Sequence, residues 1–335
     1  MNQRIAWIDT AKGLGLLMVF FGHLRIPFVS TWVYTFHMPL FFFLSGLVFS
    51  NIGGSYWFFV KKKIRRLIIP YFTLGGVIFI FWCILYRIEG RSASDYLLML
   101  GGFFAQKHFW TVWFLAALFF AEVVYGAVNC ICKDNLLTST YWSVILCLIS
   151  FGYYRLGGET LPWNIDTALV AQLFLHLGYV LKRLVVKPMD ELLNLKKVIG
   201  YLSVSLFLIL NSIFGYLCIR LSGHSLDMSV GMYGNEVCTL LSAICGIMAI
   251  VVFSHYFTCK WVIWLGQNTM VLFAWHSRII ILGCQLLFAH WHFLQRGDSF
   301  TQTLSGLIML TVIIAILVPA TIGIKKIKHH HWFGV

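Results

Sequence analysis

Asp9, Lys12 and His23 stand within IDTAKGLGLLMVFFGH, a segment that is otherwise almost wholly apolar. Eleven positions separate Lys12 from His23. At about 3.6 residues per turn that is three turns, so the two share a helix face roughly 16 Å apart along the axis. Asp9 precedes Lys12 by three positions and is placed to pair with it. The face then carries an ion pair at one end and an imidazole at the other. A second imidazole, His37, opens the next apolar run within FHMPLFFFLSG. If the two runs form a hairpin, His23 and His37 stand at similar depth and face one pocket. Imidazole titrates near neutrality, so such a pair suits general base work. The competing account is a snorkelling lysine beside two core histidines.

A dense basic run, Lys61, Lys62, Lys63, Arg65 and Arg66, follows the second apolar segment within KKKIRRLIIPY. Such a run can hold a loop on the cytoplasmic side and touch anionic lipids. It can also grip the phosphates of a nucleotide-like acyl donor. Glu122, His176, Glu236, His276 and Arg278 recur inside later apolar runs. Ionisable groups in such places are costly and line cavities or pair with one another. Arg278 is expected to pair with Glu122 or Glu236. Trp110 and Trp113 read first as interfacial belt residues. Asp227 belongs to a polar, turn-rich segment, 221–235, able to fold over the mouth of a cavity.

The elements that position these groups follow from composition. The chain has 335 residues, 60% hydrophobic and only 11% charged, with a mean hydropathy of +0.84. Roughly 25% charge is usual for a soluble domain, so most of this surface must meet lipid. A spanning helix needs about 20 apolar residues. About ten runs qualify, near 9–27, 33–50, 66–86, 109–130, 140–156, 165–182, 198–220, 236–256, 262–288 and 301–324. The fold class is therefore all-α integral membrane, with residues 1–335 as a single transmembrane domain. Most lysines and arginines fall on one side of that arrangement: Arg4, Lys12, the 61–66 run, Lys133, the 182–197 segment, Lys260 and the tail. That asymmetry puts both termini in the cytoplasm. The net charge of +13 then reports topology and calls for no nucleic-acid partner. Nine scattered cysteines show neither zinc spacing nor a disulfide framework, and the closing His329, His330 and His331 read as tail.

The segments IDTAKGLGLLMVFFGH, FHMPLFFFLSG, KKIRRLIIPYF, VWFLAALFFAE, LPWNIDTAL, GYVLK and LGQNTMVLFAWH together resemble the acyltransferase 3 family of membrane O-acyltransferases. The likeness is strongest to the fucose 4-O-acetylase-like branch and runs nearly end to end. It implies a ten-helix protein of the inner (cytoplasmic) membrane. It also implies acetyl-CoA as co-substrate with no bound cofactor or metal, and a glycan or lipid-linked sugar as acceptor. Carried over by position, the family's basic residue followed eleven places later by His falls on Lys12 and His23, and its second-helix His on His37. His23 is then the general base and His37 its assistant, while Asp9 and Lys12 fix the helix face. Lys62, Lys63, Arg65 and Arg66 hold the donor phosphates. Trp113, Glu122, Asp227, His276 and Arg278 are the candidates for lining the cavity. Two departures stand out: Lys12 replaces the frequent Arg, and the usual Arg-x-x-Arg becomes Lys62 to Arg65 and Lys63 to Arg66. A transporter with an intramembrane proton relay is the rival reading, but it predicts inverted repeats and broken helices, which the sequence does not display. A scaffolding protein would leave the paired histidines unexplained.

Overall fold

A backbone in lipid must satisfy its own hydrogen bonds, and helices do so within one segment. The computed structural model describes residues 5–24, 26–50, 52–107, 111–184, 197–223, 226–283 and 299–327. Among these the chain is helical, and the one extended pairing is an isolated bridge between Asp227 and Met232. Seven helices are long and apolar enough to cross a membrane, by length and composition. They are α4 (Tyr56–Ile88), α6 (Trp113–Ile131), α7 (Leu136–Arg155), α8 (Ile165–Leu184, led in by a 3-10 turn at Pro162–Asn164), α9 (Lys197–Ser222), α10 (Glu236–Tyr256) and α13 (Ser299–Ile327).

The other three expected spans are shorter or divided. The first is α1 (Ala6–His23). The second is split into α2 (Val29–Tyr34) and α3 (His37–Leu47). The ninth is α11 (Lys260–Gln267), α12 (Thr269–Trp275) and a π turn at His276–Ile281. Broken helices, which the sequence did not betray, are therefore present, and all three sets meet at the site described below.

Between α4 and α6 the chain forms α5 (Ala93–Ala105), opened by a capping box between Ser92 and Asp95. One further expectation is corrected. The basic 61–66 run is not a loop. It lies inside α4, which runs through a π turn at Ile64–Ile68. Lys and Arg are good helix formers, so charge alone does not end a helix. Pro70 accounts for the turn: it has no N–H to donate and its ring crowds the carbonyl of Arg66, four residues earlier. A widened turn there relieves both problems.

Helix α8 lies in the interior and α13 at the edge, with 67% and 17% of their most apolar windows buried. The outward faces carry Ile80, Leu98, Leu148, Leu202, Leu206 and Ile209, all exposed, as lipid contact requires. Helices that cross in lipid gain from close backbone approach at small residues. Helix α1 meets α11 in this way: a Cβ on Gly266 would lie 1.8 Å from the Asp9 carbonyl oxygen, and one on Gly13 would lie 2.1 Å from that of Val262. Helices α3 and α8 repeat the device, with Gly46 against Leu175 and Gly178 against Phe43. These two tight crossings carry Asp9 and the second half of α3 into fixed positions.

Candidate active site

The break between α2 and α3 places His37. At the break, Asn211 of α9 reaches Thr35 Oγ1 (3.0 Å) and the Ser242 carbonyl of α10 (2.8 Å), so a buried polar knot holds the turn. His37 begins α3, is 3% exposed, and donates Nδ1–H to the Val33 carbonyl at 2.7 Å. Only an imidazole N–H can serve that carbonyl, so the tautomer is fixed and Nε2 is left as the acceptor.

His276 repeats the pattern at the end of α12. Its Nδ1 donates to the Phe273 carbonyl at 2.7 Å. It is wholly buried, and its Nε2 has no hydrogen-bond partner among the described residues. Its ring centroid lies 4.9 Å from that of His23. Tyr34 links the others, 6.2 Å from His23 and 4.9 Å from His37. The ninth span is held against its neighbours by Trp275 Nε1 to the Leu74 carbonyl of α4 (3.2 Å) and Thr111 Oγ1 to the Ala274 carbonyl (2.6 Å).

His23 and His37 line one cavity of about 420 Å³, together with Tyr34, Trp113, Asn164, Asp227 and Phe273. That size falls in the ~300–1,000 Å³ range of small-molecule sites. Two irregular segments form one of its walls. One is the Pro162–Asn164 turn, in which Trp163 (φ 62°) and Asn164 (φ 49°) both take the left-handed conformation. The other is the turn at Asp227–Val230, where Asp227 Oδ1 accepts from the Ser229 N–H (2.9 Å) and hydroxyl (2.6 Å). Thr167 Oγ1 donates to the Met228 carbonyl at 2.8 Å and fastens the second segment to α8.

A second, smaller cavity of about 140 Å³ is lined by Lys12, Phe41, Leu44, Ser45, Leu67, Met270 and Phe273, among others. Phe273 lines both cavities, packed 5.4 Å from Phe114 and 6.4 Å from Phe41. An apolar slot with one ammonium thus sits behind the histidine cavity, with an aromatic partition between them.

The structure groups His23, His37, Trp113 and Asp227 at the larger cavity and packs His276 against His23. Burial is greater at His37 than at His23. Asp9 and Lys12 stand apart, and Lys12 lines the smaller cavity. Lys12 Nζ is 4.0 Å from Asp9 Oδ1, whose other oxygen accepts from Gln267 Nε2 at 3.1 Å. Glu122 does not line the histidine cavity; it forms a buried ion pair with Lys63 at 2.7 Å. This withdraws Lys63 from the donor-binding group, while Lys62, Arg65 and Arg66 remain exposed. Glu236 is held by Arg155, with Nη2 to Oε2 at 2.6 Å. Both carboxylates expected to pair with Arg278 therefore have other partners, and the Arg278 side chain lies outside the described residues, as do Trp110 and the tail histidines. His176 is far from the site in role, bridging Tyr125 (3.0 Å) and Thr140 (2.7 Å) between helices. Tyr34 and Asn164 went unremarked in the sequence, since neither type nor spacing marks them out. Among the described residues no group of three His, Cys, Asp or Glu side chains is placed to hold a metal ion.

Residues 5–322 match the family described as an acyltransferase domain, of the acyltransferase 3 type. No curated protein and no solved structure matches the chain.

Proposed function

The chain belongs to the acyltransferase 3 family, and on that premise we propose that it moves an acetyl group from cytoplasmic acetyl-CoA to a hydroxyl of a cell-surface or lipid-linked glycan. The observation that carries this reading is the grouping of two imidazoles, His23 and His37, at one cavity, with a third, His276, packed against His23. In the proposed step, His23 takes the proton of the acceptor hydroxyl as its oxygen attacks the thioester carbonyl carbon. The carbon–sulfur bond then breaks, and the proton passes from His23 to the departing sulfur. The products are an acetyl ester and free coenzyme A thiol. A hydroxyl is a poor nucleophile at neutral pH, and general base assistance contributes typically ~10²- to 10⁴-fold. His37, with Nε2 as acceptor, orients or assists the same hydroxyl.

The donor enters from the basic side. Lys62, Arg65 and Arg66 are exposed and would hold the phosphates of coenzyme A, and the apolar slot beside Lys12 leads toward Phe273. The resemblance to the fucose 4-O-acetylase-like branch favours a sugar acceptor. The charge asymmetry of the sequence favours the inner membrane with cytoplasmic termini. Mass spectrometry of surface glycans from a deletion strain and its parent tests the reading. Loss of acetyl groups from a glycan is the expected result, and an unchanged acetylation pattern would refute it.

A second reading draws on the broken spans, because discontinuous helices around a cavity also characterise transporters. The two part company in detergent solution, where a transferase acetylates its acceptor and a transporter has nothing to measure.

A further inference from the structure

We propose that Asn164 and Asp227 select the acceptor, and that they select an electrically neutral sugar over a sugar acid. The inference rests on the acyl-transfer reading and specifies its substrate class. Asn164 is 4% exposed and lines the histidine cavity. Its Nδ2 donates to the Ser229 carbonyl at 3.3 Å, which assigns the other end of the amide as the oxygen. That Oδ1 has no hydrogen-bond partner among the described residues. A buried amide oxygen without a donor is costly to keep. Here it is kept by a backbone that is itself costly, with two successive non-glycine residues at positive φ. A ligand hydroxyl would supply the missing donor.

Asp227 lines the same cavity from the facing segment. Ser229 occupies one carboxylate oxygen with its N–H and hydroxyl, and among the described residues the other oxygen has no hydrogen-bond partner, which leaves it to a ligand. An amide oxygen and a carboxylate can only accept hydrogen bonds, so the wall they form is complementary to O–H groups. The carboxylate also opposes a like charge brought into the cavity, a form of selection by an unfavourable contact.

The test uses purified full-length protein, acetyl-CoA, and two probe sets: methyl hexopyranosides and the corresponding methyl hexuronosides. Product is read by mass spectrometry. The parent should acetylate the neutral glycosides with a kcat/KM at least about tenfold above that for the uronosides, the order expected of one buried polar mismatch. Asn164→Leu should raise the acceptor KM roughly tenfold or more with the acetyl-CoA KM unchanged. Asp227→Asn, nearly isosteric, should narrow the preference for neutral glycosides. It carries the test alone should Asn164→Leu fail to fold. Equal use of both probe sets by the parent, or variants that alter only the acetyl-CoA KM, would overturn the inference and leave acyl transfer standing. No acetylation of any glycoside would remove the acyl-transfer reading and this inference with it.

Discussion

His37 and His276 are held alike, each giving Nδ1–H to a main-chain carbonyl about one turn earlier, so each keeps Nε2 as an acceptor. The difference lies in what that nitrogen meets. His276 is sealed against His23, where, in the proposed step, an acceptor nitrogen would steady a proton newly taken by the neighbouring ring. His276→Phe keeps packing against Phe20 and Phe273 but removes the acceptor. It should lower kcat by about 10- to 100-fold, within the range of acid–base contributions, with the acetyl-CoA KM unchanged. His276→Gln should recover part of the loss, and steady-state kinetics on the two variants checks this. Arg65→Gln with Arg66→Gln should act on the other substrate and raise the acetyl-CoA KM, since each charged phosphate contact contributes about 1.5–3 kcal/mol. An unchanged KM in a titration of acetyl-CoA would return these arginines to a topological role. His23 and His37 were legible from residue type and spacing because an imidazole in an apolar run is conspicuous. Asn164 and Tyr34 were not, because their importance comes from a left-handed turn and a helix break that no short pattern announces.

Among the elements, the long apolar helices were the most legible, since a run of about 20 apolar residues has few other uses. Helices α9 and α10 begin and end within two residues of expectation. The divided spans were hidden because their breaks depend on partners distant in sequence. The turn at Asn268 sets Gln267 on Asp9, and the Thr35 turn is tied to Asn211. The α1–α11 crossing has no space for a side chain at Gly266. Gly266→Val should therefore cost at least about 1–3 kcal/mol through overpacking, visible as a lower unfolding temperature and lost activity. The Lys63–Glu122 pair joins α4 to α6 in a buried setting. Lys63→Met should destabilise by about 3–5 kcal/mol because it strands the carboxylate, and adding Glu122→Leu should restore most of that. Thermal unfolding in detergent would show whether the double variant recovers.

At the scale of the whole molecule, the two cavities lie in series behind one aromatic partition, the smaller beside Lys12 and the larger beside the histidines. In the proposed function, this arrangement would let a donor and an acceptor reach the same centre from opposite sides of a membrane. It also fixes a topological expectation. In a cysteine-depleted background, Lys62→Cys should react with an impermeant maleimide only after cells are opened, whereas Val230→Cys should react in intact cells. Reversed labelling would place the donor on the wrong side. The charge asymmetry that leads to this expectation was readable in the sequence, whereas the two chambers were not, because cavities come from packing among distant helices. The central claim, that the histidine cavity performs acyl transfer with His23 as its base, is tested most directly by one rate. Acetyl transfer from acetyl-CoA should be measured for purified His23→Ala beside the parent, at equal amounts of folded protein. The account predicts a loss of about 10²-fold or more, and near-parental transfer by His23→Ala would contradict it.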